Sequence, residues 1–161
     1  MKAFLGLGSN MGDRMGRLEM AVKELRNLDP ALSVSPVYET APLGGPDGQE
    51  RFLNCVVRLE TTMTPRQLLA TASRLEELAG RVRTVRNGPR TLDVDVLLVG
   101  DLSVCEPDLV VPHPRMSERG FVLAPLEDLD ASRVPEGWRE RLAESDPTSL
   151  DLRLIGSLGG H

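Results

Sequence analysis

Gly88-Pro-Arg-Thr-Leu-Asp-Val-Asp-Val-Leu-Leu98 opens on a turn and runs into strict alternation. In an extended chain Leu92, Val94, Val96 and Leu98 line one face and Asp93 and Asp95 the other. A strand over 91–99 is therefore expected, with its apolar side on a core. At about 3.3 Å per residue, two carboxylates two positions apart lie roughly 6.5 Å from each other along the strand and point the same way. Like charges so placed repel unless a cation lies between them. Hard oxygen ligands suit Mg²⁺, which takes one or two carboxylates and completes its shell with water and phosphate. Two such ions about 3.5–4 Å apart fit one patch of this kind. A D-x-D on a strand is also an ordinary solvated face; Arg90, three residues ahead behind a Gly-Pro turn, tips the reading toward a site where metals and arginines share phosphates.

Outward from this strand the chain falls into a regular order. Lys2 to Ser9 reads as a short buried strand ending in glycine turns. From Asp13, a plausible N-cap, to Leu28 the apolar Leu18, Ala21, Val22, Leu25 and Leu28 recur at helical spacing, and Asp29-Pro30 ends the run. Ser33 to Glu39 is a second strand, and 40–50 is loop chemistry. Phe52 to Thr61 alternates, with Leu53, Cys55, Val57 and Leu59 opposite Phe52, Asn54, Val56 and Arg58. Thr64-Pro-Arg-Gln67 is a capping box with proline in the first turn; Leu68, Ala72, Leu75 and Ala79 form the buried stripe and Gly80 ends the helix. The order β-α-β-β-α-β favours an antiparallel four-stranded sheet with both helices on one face. Beyond it, 101–115 is a proline-containing excursion, 117–119 a helical turn and 121–126 an apolar run. A last helix is expected over 136–144, and 145–161 is a weakly patterned tail.

The chain has 161 residues, 40% of them hydrophobic, which suits one domain with its own core. Its two cysteines form no CxxC pair and are expected as free thiols of a cytoplasmic protein. No apolar run approaches the roughly 20 residues that span a bilayer, so no membrane is expected. A net charge of −5 argues against a broad nucleic-acid face. Against that acidic balance, 81–90 holds four arginines and no acid, a local concentration suited to an anion or to a solvated loop.

Three further groups carry potential chemistry. His113, held between two prolines, can donate to a phosphate, move a proton or simply brace its loop, and Arg119 adds a cation nearby. Asn54 offers a donor and an acceptor to the edge of a heterocycle, and Phe52 a stacking surface. Phe121, one of three phenylalanines, can supply a second wall or pack in the core. A P-loop, a Rossmann fingerprint, a zinc set and a nucleophile elbow are all absent.

Taken together, Gly-Ser-Asn (8–10), Tyr-x-Thr-x-Pro-Leu-Gly (38–44), Phe-Leu-Asn (52–54), Gly-Arg-Val-Arg (80–83), Gly-Pro-Arg-Thr-Leu-Asp-Val-Asp (88–95) and Val-Pro-His-Pro-Arg-Met-x-x-Arg-x-Phe (111–121) resemble the 6-hydroxymethyl-7,8-dihydropterin pyrophosphokinases of folate synthesis. The pieces stand in family order over roughly 1–126. The resemblance implies a ferredoxin-like α+β sandwich with C-terminal additions. It implies transfer of diphosphate from ATP to the pterin, with two Mg²⁺ on Asp93 and Asp95. By the same resemblance Asn54 reads the pterin edge, Phe52 and Phe121 sandwich the ring, and Thr40 and Leu43 line its pocket. Glu76, Arg81, Arg83, Arg90, His113 and Arg119 fall at ATP positions, and Arg81 and Arg90 stabilise the charge of transfer. The expected enzyme is a cytoplasmic monomer with small-molecule substrates. Departures are Phe52 where the family often has tyrosine, Asn87 where many members have tryptophan in an arginine loop one residue longer, and Pro114 where some have tyrosine. Two alternatives remain at this point: a different Mg²⁺-dependent phosphotransferase releasing ADP, and an RNA-binding module of the same element order.

Overall fold

The central strand of the molecule is its first, β1 (Lys2–Ser9). It pairs antiparallel with β4 (Phe52–Glu60) on one side and with β5 (Asp93–Val99) on the other. Beyond β4 lie β3 (Val37–Thr40) and, at the far edge, β8 (Leu152–Gly156), while β2 (Ser33–Val34) pairs with the distal half of β4. The computed structural model describes residues 1–41, 48–80 and 90–158. The fold is α+β, built on an antiparallel sheet with helices on both faces.

α1 (Arg14–Leu25) and α2 (Pro65–Leu78) cover one face. Their stripes Leu18, Ala21, Leu25 and Leu68, Ala72, Leu75 meet Ala3, Leu5, Leu7, Leu53, Cys55, Val57, Val94 and Val96 from the sheet. Each such leucine, fully removed from water, contributes about 1.5–3 kcal/mol. The α2 capping box is complete: Thr64 Oγ1 accepts from Gln67 N at 3.1 Å, and Thr64 N donates to Gln67 Oε1 at 2.9 Å. α1 starts at the expected cap, Asp13, but its helical hydrogen bonding gives way to turns after Leu25 and leaves Leu28 exposed. Both cysteines are free thiols, Cys55 buried and Cys105 exposed.

α3 (Gly120–Leu129) lies on the opposite face, where Val122 and Leu126 pack on Phe4, Val56, Leu97 and Leu98. The apolar run 121–126 is thus a helix, with Pro125 inside it, that builds a second core. Among the described residues the sheet has six strands: the expected four, one of them split in two, and a C-terminal addition. The tail supplies β8, and Ser35-Pro36 divides the expected strand 33–39 into β2 and β3, since proline cannot donate to the ladder. Along β5 the alternation also breaks. Phe4 pairs with Leu98 and Leu5 with Val96, so Leu97 is the extra residue of a β-bulge. The bulge turns Leu98 to the α3 face with Leu97, away from Val94 and Val96. The excursion 101–115 contains a hairpin of β6 (Val104–Glu106) and β7 (Leu109–Val111), tied to α2 by ion pairs from Arg66 to Glu106 and Asp108. A cis Val111–Pro112 bond follows the hairpin. The last helix, α4 (Trp138–Ser145), seats Trp138 and Leu142 against α3. Among the described residues no helix is long and apolar enough to cross a membrane.

Candidate active site

On its α3-facing side β1 carries Lys2, Phe4, Gly6 and Gly8. Phe4 fills the core under α3, and from there the floor is bare backbone. Gly6 stands opposite Val56 and Asp95 on its two neighbours, and Gly8 opposite Asn54 and Asp93. A narrow cleft therefore opens between the sheet and the start of α3. Gly6, Gly8, Asn54, Asp93, Asp95 and Phe121 line it.

Space at Gly8 is fully committed. A Cβ there would stand 2.6 Å from Asn54 Oδ1 and 3.5 Å from the Phe52 ring. Asn54 is buried, and its Nδ2 donates to Thr40 Oγ1 at 2.7 Å. That bond turns Oδ1 over Gly8 as an acceptor facing the cleft. Thr40 and Phe52 are register partners on β3 and β4, so these three predicted residues form one wall. Phe121, half-buried at the first turn of α3, stands on the other side with the Arg119 guanidinium 5.7 Å over its ring.

The carboxylates occupy the β5 end. Arg90 Nη1 reaches Asp93 Oδ2 at 3.1 Å. Asp95 lies 4.0 Å from both Arg119 Nη1 and His113 Nε2. Burial and the neighbouring Asp93 carboxylate push the Asp95 carboxyl up to about 7, against the pull of Arg119. An anion pair so crowded fits a divalent cation, and two carboxylates are the share of the shell that Mg²⁺ usually takes from protein. His113 accepts from Arg115 N at Nδ1, 3.2 Å away, so the neutral ring carries its proton on Nε2, facing Asp95. Burial and Arg119 hold its pKa below the usual histidine value. Glu76, on α2, accepts from Val94 N at 2.9 Å and so braces β5 between the two aspartates. Asp93, Asp95, Arg90, His113 and Arg119 thus converge as the sequence suggests; Arg81, Arg83 and Leu43 lie outside the described residues.

Two features escape a reading of single residues. The first is the glycine floor, whose signal is the pair Gly6 and Gly8 at period two on the non-core face of a strand. The second is Asn10, 2% exposed at the end of β1. Its Nδ2 donates to Gln49 Oε1 and to the Glu50 carbonyl, and its Oδ1 accepts from Arg90 N at 2.7 Å. One side chain thereby holds the chain just after 42–47 and just after 81–89.

The chain is similar to known proteins in sequence and in fold. The model of the family described as 7,8-dihydro-6-hydroxymethylpterin-pyrophosphokinase matches residues 4–131. A Bacillus subtilis 2-amino-4-hydroxy-6-hydroxymethyldihydropteridine pyrophosphokinase is 45% identical over 79% of this chain and 77% of its own length. A Methylorubrum extorquens protein of the same name is 41% identical over 93% and 97%. In structure, a Plasmodium falciparum HPPK-DHPS crystallised with pteroate matches 96% of the chain with a TM-score of 0.65 at 13% identity. The chain spans 49% of that longer one, and the likeness is one of fold. Since the matched stretch runs from β1 through α3 and so includes every residue lining the cleft, the chain belongs to the 7,8-dihydro-6-hydroxymethylpterin pyrophosphokinase family.

Proposed function

We propose that this protein transfers the diphosphate of ATP to the hydroxymethyl group of 6-hydroxymethyl-7,8-dihydropterin, releasing AMP in folate synthesis, with magnesium held by Asp93 and Asp95. The names of its relatives support the reaction and ATP as co-substrate. The strand order β5-β1-β4-β3, with α1 and α2 on one face, supports a ferredoxin-like core to which β8 and α3 are added. The observation that carries the site reading is the bare floor at Gly6 and Gly8, with the Asn54 amide on one side and the carboxylate pair on the other.

A flat ring laid over Gly8 meets the Oδ1 acceptor of Asn54, which suits the N–H groups on the edge of a reduced pterin. Phe52 and Phe121 flank the ring by stacking. That pose directs the hydroxymethyl arm along β1 toward Gly6 and the aspartates. The hydroxyl oxygen attacks the β-phosphorus of ATP as its proton passes to water, and the bond from that phosphorus to the bridging α-phosphate oxygen breaks, so that AMP leaves. Magnesium, when bound, neutralises the phosphate oxygens and eases ionisation of that hydroxyl. Arg90 and Arg119, each beside a carboxylate, are placed to exchange that partner for phosphate oxygens as charge spreads over them. His113, kept neutral, presents Nε2–H to the same place without adding charge. Arg81 and Arg83 are assigned to the phosphates, and Leu43 to the pterin pocket, by family position. Positioning and electrostatics carry such a transfer, and the arrangement requires no protein base.

The test is a nucleotide-product assay with MgATP, with and without the pterin. AMP formed only when the pterin is present is the expected result. ADP would retain a phosphotransferase but overturn this reaction, and no turnover by folded protein would overturn catalysis.

A further inference from the structure

The C-terminal segment after α4 lies beyond the family-matched stretch, yet it touches both walls of the cleft. On one wall, Ser149 sits in a 3₁₀ turn at 5% exposure. Its Oγ accepts from Gly120 N at 2.7 Å and lies 3.4 Å from the Glu118 carbonyl, to which the hydroxyl can donate. Gly120 separates Arg119 from Phe121. The segment presses so closely there that a Cβ on Gly120 would overlap the Ser149 carbonyl oxygen. On the other wall, Leu152 pairs with Thr40 in the β3–β8 ladder. Asp151 takes Arg51 Nη1 at 3.0 Å, one residue before Phe52. Between these contacts Leu150 and Leu152, like Tyr38, pack against the cluster of Leu123, Ala124, Trp138 and Leu142.

We infer that residues 149–152 form a tie that fixes the distance between the Phe121 wall and the Thr40–Phe52–Asn54 wall, with Ser149 as a positioning residue for pterin binding. The inference rests on the pterin reading of the cleft. Arg119 is also drawn in from the other side by Asp95, but Phe121 has no polar anchor of its own. Its ring packs against the core under α3, and the Gly120 backbone sets where it enters the cleft. Removing the Ser149 acceptor leaves a buried N–H unpaired, and the start of α3 must shift to find another partner. A slot built for a flat ring loses affinity when one wall moves, whereas the nucleotide is held by several separate cations.

The experiment compares Ser149→Ala and Ser149→Thr with wild type in the full chain, measuring AMP release and calorimetric affinities for the pterin and for MgATP, well below the melting temperature. Expected for Ser149→Ala is a pterin affinity lowered about fivefold, the scale of one buried hydrogen bond, with ATP affinity within about twofold. Ser149→Thr, which keeps the oxygen, should restore most of it. Equal losses for both ligands, or none, in an active wild-type background would overturn the tie alone. Absence of AMP from wild type would overturn the reaction, and the tie's ligand with it. Should Ser149→Ala not fold, Asp151→Asn at the half-exposed end of the tie carries the test. A smaller but pterin-selective loss supports the tie, and no change overturns it.

Discussion

The two faces of the sheet are made from the same six strands and do opposite things. Under α1 and α2, β1 contributes Ala3, Leu5 and Leu7, all at most 2% exposed, to a continuous cluster of buried apolar side chains. Under α3, the same strand contributes Phe4 and then nothing, because Gly6 and Gly8 have no side chains to offer. The first face is closed by packing. The second is closed only as far as Phe4 reaches, and the remainder is edged by Asn54, Asp93 and Asp95. The α1/α2 face thus serves stability alone, whereas the α3 face joins a second core to the candidate chemistry, with the backbone of β1 between them. A substitution should report which face it touches: losses on the open face in turnover or affinity, losses on the closed face in stability.

The largest effect is expected at Asp95. Asp95→Ala should lower AMP formation by about a hundredfold or more, since charge stabilisation in the transition state is worth that much per group. The fold should persist, because Asp95 is crowded by Asp93 and its removal relieves a repulsion. Turnover by product assay and melting by circular dichroism read the two quantities separately. Near wild-type turnover would undo the carboxylate assignment; a collapsed fold would undo the division between faces.

Gly8→Ala is a finer probe, because it adds one methyl group and no charge. That methyl would displace Asn54 Oδ1, 2.6 Å away, from its place over the floor. Pterin affinity should fall about tenfold or more, with ATP affinity changing least, because a polar reader moved out of register leaves both partners unpaired. Gly6→Ala, whose methyl meets Leu97 at an ordinary 3.5 Å, gives the matched control for adding bulk to the floor without moving Asn54. Equal losses for the two variants would mean that floor space, rather than the amide, is what Gly8 protects.

How much of this can be read from the chain follows the same division. The closed face is legible up to Leu28, where α1 has already given way to turns: helical and strand periods coincide with burial at Leu18, Leu68, Leu75, Val57 and Val94 because packing on one side is a local, periodic demand. The carboxylate pair is legible for the same reason, being what remains when the apolar partners of β5 are removed. Leu98 is not, because a bulge is a property of two strands and leaves no mark in one. Nor is β8, an edge strand with Leu154 and Ile155 exposed, whose alternation has little to alternate against. The floor is readable only in hindsight of topology. Gly6 and Gly8 look like turn glycines until β1 proves to be the central strand, flanked on both sides by site residues.

The smallest effect on chemistry should come from the best-buried positions. Leu75, fully buried on α2, packs into the closed face one residue before Glu76, which holds β5. Leu75→Ala should cost about 2–5 kcal/mol of stability, the range for a leucine truncated in a core that cannot collapse around the gap. At a temperature where the variant is folded, its affinity for both substrates should stay within about twofold of wild type, since β1 transmits no side chain to the other face at Gly6 and Gly8. Urea titration gives the first quantity and calorimetry the second. A substrate affinity that falls in step with stability would show that the glycine strand conveys strain across the sheet, and that the two faces work as one.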